Sequence, residues 1–67
     1  MQRITLKDWR GKMIGFVDVE PNGDKTLRDF RLRILGYYNA KLDVTQDYYR
    51  RTVARGDVLT TLLNNND

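Results

Sequence analysis

A motif of eight residues recurs three times, in nearly the same form, in this chain of 67 residues. It constrains the fold more than any other feature. The copies start at Asp8, Asp29 and Asp47, and each continues with an aromatic residue, basic residues, an aliphatic residue and a small residue. An internal repeat of about 20 residues indicates one supersecondary unit copied in tandem. The unit is too short for a pair of helices and carries turn-forming residues at its centre. We therefore interpret it as a β-hairpin.

The residues Asp-x-x-Gly-Lys of the first copy are typical of a type I turn that ends in a G1 bulge. In such a turn the aspartate accepts hydrogen bonds from the turn backbone and the glycine adopts the left-handed conformation. Pairing Asp8 with Lys12 predicts that Leu6 lies opposite Ile14, and the same register applies to the other two copies. Each hairpin then has an acid–base pair next to the turn and an aliphatic pair behind it, except that Thr45 replaces an aliphatic residue in the third.

Two copies lack the turn glycine, because Leu32 and Arg50 stand where the first copy has Gly11. A residue other than glycine in the left-handed conformation costs on the order of 1 kcal/mol. Either these two turns change type, or tertiary contacts hold them.

The links between hairpins complete the predicted sheet. Asn22-Gly23 predicts a two-residue type I′ turn that keeps Phe16 and Leu27 on one face, and the next loop places Tyr37 opposite Thr45. We therefore predict a single domain, 1–67, that is mainly all-β: a six-stranded antiparallel meander of three hairpin repeats over residues 2–56, with a short C-terminal helix.

The predicted sheet needs a second layer, because a single sheet cannot bury a face by itself. The predicted core face carries a set of apolar residues: Ile4, Leu6, Ile14, Phe16, Leu27, Leu35, Tyr37 and Val53. Asp57 is a suitable N-cap for a helix over 57–64, and residues 65–67 read as a frayed tail. Such a helix covers only part of the sheet, so we expect a homo-oligomer, most simply a dimer that stacks sheet on sheet.

Small residues recur on the other predicted face, at Gly15, Gly36 and Ala54. They either admit another backbone or a flat ligand, or relieve crowding beside larger neighbours.

The amino-acid composition excludes several classes of catalytic and metal-binding site. The chain has no cysteine, histidine or serine, so disulfides, cysteine-based zinc sites and the usual nucleophile–base pairs are ruled out. The three aspartates recur because the turns need them, whereas catalysis needs one unique carboxylate. We expect no enzyme activity, no cofactor and no metal. No apolar run approaches a membrane span and no leader peptide is evident, so cytoplasmic residence is expected.

Aromatic and basic residues share the three equivalent turns, which all lie at one edge of a meander. Our first hypothesis is an interaction module that assembles with itself or with a protein partner through aromatic anchors: Trp9, Phe30, Tyr38, Tyr48 and Tyr49. The alternative is a small nucleic-acid-binding protein that stacks bases on these rings and neutralises phosphates with arginines: Arg10, Arg31, Arg50 and Arg51. A third possibility is a carbohydrate or small-ligand surface built on Tyr37, Tyr38 and Trp9. The structural alternative is that each aromatic folds over its own hairpin and caps the core.

The phrase Asp-x-x-Gly-Lys/Arg followed by aliphatic residues resembles the YD repeat of Rhs-type proteins over about residues 6–56. Asp8, Gly11 and Lys12 carry the likeness, with weaker copies at Asp29 with Arg33 and at Asp47 with Arg51. In that family many hairpin copies wall a shell around a toxin or bind carbohydrate. This chain has three copies, two without the glycine, and none has the tyrosine before the aspartate. The resemblance therefore implies the hairpin architecture alone. A compact stand-alone set of hairpin repeats is also similar to small proteins of bacterial and phage genomes.

Overall fold

The computed structural model describes residues 1–64, which form one antiparallel sheet with six strands in sequential order and one short helix. This confirms the predicted meander. The elements are β1 Gln2–Lys7, β2 Met13–Val19, β3 Lys25–Asp29, β4 Ile34–Asn39, β5 Val44–Asp47, β6 Thr52–Arg55 and α1 Thr61–Asn64. The helix starts four residues later than the predicted 57–64, because turns with i to i−3 hydrogen bonds precede it. The predicted tail, 65–67, lies outside the described residues. Within the described part of the chain, no helix has the length and apolar character needed to span a membrane.

The three hairpin turns have the same geometry. In the first, the Asp8 N–H donates to the Lys12 carbonyl at 2.9 Å, and Asp8 Oδ1 accepts from the N–H groups of Arg10 and Lys12. The other two turns repeat these bonds around their own aspartates. The turn chemistry predicted from the aspartates is therefore present in all three copies.

The turns without glycine keep their type. The φ angles are 81° at Gly11, 69° at Leu32 and 65° at Arg50, so all three residues adopt the left-handed conformation. Tertiary contacts accompany both exceptions. The Leu32 carbonyl accepts a hydrogen bond from Arg28 at 3.1 Å, and the Arg50 guanidinium lies 3.8 Å from the centre of the Tyr37 ring.

A second irregularity in each hairpin overturns the predicted register. Leu6 pairs with Gly15 rather than Ile14, because Ile14 is an extra residue in a β-bulge. The equivalent bulges fall at Leu35 and Val53. A bulge shifts all later pairs by one residue and changes which side chains share a face. The predicted pairing was therefore right next to each turn and wrong beyond the bulge.

The connection between β2 and β3 also differs from the prediction. The Glu20 N–H donates to the Asp24 carbonyl and the Gly23 N–H to the Glu20 carbonyl, which makes a three-residue turn with Gly23 at φ 94°. Pro21 favours this type I geometry because its fixed φ suits the second position of the turn. The predicted type I′ turn was wrong, and Leu27 consequently pairs with Val17.

These shifts exchange residues between the two faces. Phe16 and Tyr37 were predicted in the core but lie on the opposite face, since Phe16 pairs with Arg28 and Tyr37 with Gln46. Tyr38, rather than Tyr37, is opposite Thr45 and belongs to the core face.

The C-terminal segment covers the core face. Leu59 is buried together with Val17 and Leu27 at the centre of the core. The buried Thr45 hydroxyl fixes the segment, because it donates to the Gly56 carbonyl at 2.7 Å and accepts from the Val58 N–H at 3.1 Å. The C-terminal segment thus supplies the part of the second layer that was predicted from it.

The row of small residues receives this segment. A Cβ on Gly36 would overlap Leu62, and one on Gly15 would lie 3.3 Å from Leu63 and 2.5 Å from the Arg28 carbonyl oxygen. At these two glycines the approaching groups are leucine side chains and carbonyls of the neighbouring strands, rather than an added backbone. The leucines belong to the C-terminal end of the same chain.

The opposite face, called the open face below, is crossed by a polar row with one residue from each strand: Arg3, Asp18, Thr26, Tyr37, Gln46 and Thr52. Asp18 is buried within this row and receives bonds from Arg3 at 2.7 Å and from Arg28 at 2.9 Å. The hydrogen bond from Arg3, supported by Arg28, outweighs burial and lowers the pKa of Asp18. The open face is stabilised by polar pairs rather than by an apolar cover.

Candidate functional site

The three hairpin turns, residues 8–12, 29–33 and 47–51, form one border of the sheet, which we call the turn edge. They lie on the same border because the strands are antiparallel and follow chain order. Strands two apart in a sheet are separated by about 10 Å, so successive turns have about that spacing. The hydrogen bonds around each aspartate hold the three turns in one shape.

Four aromatic side chains project from the turn edge into solvent. Their exposed fractions are 86% for Trp9, 55% for Phe30, 58% for Tyr48 and 73% for Tyr49. The hypothesis that turn aromatics cap the core is therefore wrong. Large apolar side chains held outside the core are available for a partner.

Arginines are placed over three of these rings. The guanidinium carbon of Arg10 lies 4.6 Å from the centre of the Trp9 ring, and Arg31 lies 5.4 Å from Phe30. In the third turn Arg51 is 5.2 Å from Tyr49, which also meets Tyr48 edge to face at 5.2 Å. Cation–π contacts at exposed sites contribute about 0.5–1 kcal/mol, enough to bias each guanidinium toward its ring.

The turn edge carries the positive charge of the chain. Its fifteen residues include six basic and three acidic side chains, so their formal net charge of +3 equals that of the whole chain. The three carboxylates are occupied by turn backbone N–H groups. The side chains that the turn edge exposes are therefore mainly aromatic and basic.

Two of the turn aspartates have lowered pKa values. Burial alone would raise the pKa of Asp29, but hydrogen bonds from the Arg33 backbone and guanidinium and from the Arg31 N–H outweigh it. The pKa of Asp47 is lowered chiefly by the Arg51 N–H, with burial opposing and the Arg51 guanidinium assisting. Both carboxylates are consequently ionised at neutral pH and held within their turns.

Seven of the nine residues proposed from the sequence come together at this edge: Trp9, Phe30, Tyr48, Tyr49, Arg10, Arg31 and Arg51. Tyr38 does not, because it is half-buried against the core, where its hydroxyl donates to Asp43 at 2.5 Å. That bond is the main reason that the pKa of Tyr38 is raised. Arg50 belongs to the third turn but extends over Tyr37 on the open face.

The residues suggested for a carbohydrate surface do not form one platform. Tyr37 and Tyr38 are consecutive in β4 and lie on opposite faces, while Trp9 is at the turn edge. Sequence reasoning missed the polar residues around Tyr37 because their proximity depends on the register, which the bulges alter. Within residues 1–64, no group of three acidic residues lies close enough to hold a metal ion.

The fold and the turn edge together define a single-sheet protein of three hairpin repeats with a ring-and-cation border. Comparison with protein families, with curated proteins and with solved structures gives no match to this chain.

Proposed function

We propose that this protein is a small non-enzymatic interaction module that binds a protein partner through the turn edge. The observation that supports it most is the exposure of four aromatic side chains on three turns of identical build. Tryptophan, tyrosine and arginine are the residues most enriched in binding hot spots. Turns already fixed by backbone hydrogen bonds lose little conformational entropy when a partner binds.

The positive charge of the turn edge indicates the kind of surface that its partner has. Six basic side chains surround the rings, so a complementary surface has apolar pockets bordered by carboxylates. Self-association stays a prediction of its own. A dimer that stacks two open faces would bury the ion pairs of Asp18 with Arg3 and Arg28 against a second copy, at a cost in desolvation. Self-association is therefore better predicted through the turn edge.

The single tryptophan offers a direct test, since Trp9 is at the turn edge and 86% exposed. Wild type, a Trp9→Phe/Phe30→Ala/Tyr49→Ala variant and a Leu42→Ala control would serve as bait, and captured proteins would then be titrated in purified form. Leu42 is a suitable control because it is also exposed, at 62%, but lies between β4 and β5 on the other border.

We expect the purified partner to shift Trp9 emission to shorter wavelength, and binding to be lost in the triple variant and kept in the control. A partner that binds the triple variant as tightly as wild type would contradict the proposal. Sedimentation velocity of the same three proteins tests self-association: an oligomer that needs these rings would identify the partner as a second copy.

A second candidate function is binding of single-stranded nucleic acid, which the concentration of positive charge at the turn edge favours. Bases stacked on exposed rings contribute about 1–3 kcal/mol each. The discriminating variant is Arg10→Glu/Arg31→Glu, because neither arginine is paired with a carboxylate in the described part of the chain. Nucleic-acid binding should fall steeply with salt and be abolished in this variant, whereas an apolar protein interface changes little with salt.

A further inference from the structure

A shallow cleft of about 190 Å³ lies on the open face, away from the exposed rings of the turn edge. Tyr37 lines it, with Thr26 directly across on β3 and Gln46 directly across on β5. Glu20 and Asn39 line one end, and Arg50 lies over the ring. We call it the Tyr37 cleft.

Four of the polar groups that line this cleft have no protein partner. Within residues 1–64, the side chains of Glu20, Thr26 and Gln46 and the Tyr37 hydroxyl make no hydrogen bond or ion pair with another group of the chain. Elsewhere on the open face the carboxylate of Asp18 is fully engaged. Three unpaired side chains and the hydroxyl of the Tyr37 ring therefore form a surface whose hydrogen-bonding capacity is available to a ligand.

Arg50 supplies a cation at one end of the cleft. It has φ 65°, a conformation that favours glycine, and its guanidinium is 3.8 Å from the centre of the Tyr37 ring. It has no carboxylate partner in the described chain, unlike its neighbour Arg51, which pairs with Asp47. Residues held in strained backbone conformations are concentrated at ligand-binding sites.

The opposite end of the cleft is acidic. Asp24 uses its oxygens to accept from the Ala40 N–H and the Asn22 amide, whereas the Glu20 carboxylate is free. The lining carries two carboxylates, of Glu20 and Asp24, and two cations, of Lys25 and Arg50, so its formal charge is zero; Lys25 is paired with Asp57, which does not line the cleft. A simple anion is repelled at the Glu20 end and a simple cation at the Arg50 end. Glu20 follows β2 and Tyr37 belongs to β4, so the backbones of these two residues are about 10 Å apart, and the Arg50 guanidinium lies over the Tyr37 ring.

We propose that the Tyr37 cleft binds a small zwitterion of the peptide class, with its carboxylate at Arg50 and its ammonium group at Glu20. The free groups of Thr26 and Gln46 pair with the amides between the two ends. Apart from Arg50, which belongs to the third turn, the cleft shares no residue with the turn edge, and none of the four exposed rings lines it.

The test uses the full chain and three probes of equal length: triglycine, N-acetyl-triglycine and triglycine amide, titrated by amide chemical shifts. Arg50→Gly removes the cation and relieves the unfavourable φ, so lost binding cannot be attributed to a strained turn. Glu20→Gln removes the acidic end. Lys41→Gln is the control, because Lys41 is exposed and does not line the cleft.

We expect triglycine to cause saturable shifts at Thr26, Tyr37 and Gln46 in wild type and in the control. Blocking either end of the peptide, or changing Arg50 or Glu20, should weaken binding at least tenfold, while Trp9→Ala leaves it unchanged. The proposal is overturned by shifts that do not saturate, by equal affinity for the blocked peptides, or by unchanged binding in Arg50→Gly. Since Trp9 is not involved, failure here is distinguishable from failure of the turn-edge proposal.

Discussion

Gly36→Ala tests whether the C-terminal segment holds the fold together by close approach to the sheet. The φ angle of Gly36 is not in the left-handed region, so alanine should by backbone entropy alone stabilise the strand by about 0.5–1 kcal/mol. Steric contacts of the added Cβ oppose this stabilisation. The added Cβ would lie 2.7 Å from the Gln46 carbonyl oxygen and would overlap Leu62, while Leu59 is within ordinary contact.

The carbonyl oxygen of Gln46 belongs to the paired strand β5 and cannot move without disturbing the ladder. Displacement of the C-terminal leucines relieves the overlap with Leu62 but leaves the added Cβ against the Gln46 carbonyl oxygen. Overpacking of this kind costs about 1–3 kcal/mol. We therefore expect a net loss of about 1–2 kcal/mol in the free energy of unfolding. A single domain of this size has only about 3–5 kcal/mol in total.

Urea unfolding followed by circular dichroism measures this loss, and Gly11→Ala is the matched control. The Cβ of the control meets nothing within 4 Å, so only its φ of 81° is unfavourable and the cost is about 1 kcal/mol. The two variants are further separated by adding Leu62→Ala, which should restore the part of the stability of Gly36→Ala lost to the overlap with Leu62 and none of that of Gly11→Ala. A Gly36→Ala protein as stable as wild type, or no rescue by Leu62→Ala, would refute the reasoning.

Three further predictions concern stability and are measured by the same unfolding assay. Leu32→Gly should stabilise the protein by about 0.5–1 kcal/mol, because Leu32 is exposed and its φ of 69° favours glycine; a loss would mean that its side chain contributes to the fold. Leu59→Ala should cost about 2–4 kcal/mol, since Leu59 is 1% exposed at the core centre, and a loss below 1 kcal/mol would contradict its place there. The free energy of unfolding should fall as pH decreases from about 5. The pKa values of Asp18, Asp29 and Asp47 are lowered in the folded chain, so these carboxylates bind protons at higher pH in the unfolded chain than in the folded one. Asp18→Asn should make this decline shallower, and an unchanged slope would remove Asp18 from the explanation.

The strand number, strand order and hairpin turns could be predicted because their determinants are local. An aspartate followed by a residue in the left-handed conformation fixes each turn within five residues, and the repeat shows that the pattern is not accidental. The turn type survived even at Leu32 and Arg50, where the glycine is missing. Local chemistry of the aspartate therefore outweighed the preference for glycine.

The register could not be predicted because the bulges at Ile14, Leu35 and Val53 have no local signal as clear as a turn aspartate. Their physical reason lies elsewhere in the chain. Each bulge comes directly before Gly15, Gly36 or Ala54, and two of these small residues face the C-terminal leucines. Because a shift of one residue exchanges the faces, the same error misplaced Tyr37 and concealed the cleft around it.

The three hairpins share the residues that build the scaffold and differ in the residues that face outward. The aspartate, the aliphatic bulge residue and the small residue recur in every copy, whereas the ring residue changes from Trp9 to Phe30 to a tyrosine pair. The left-handed position changes as well, and only at Arg50 does it place a cation over a ring of the neighbouring hairpin. A purely structural repeat would gain from glycine at all three of these positions. Leu32 has the same unfavourable conformation without such a contact, so Arg50 is set apart by the position of its guanidinium over Tyr37 and not by its backbone.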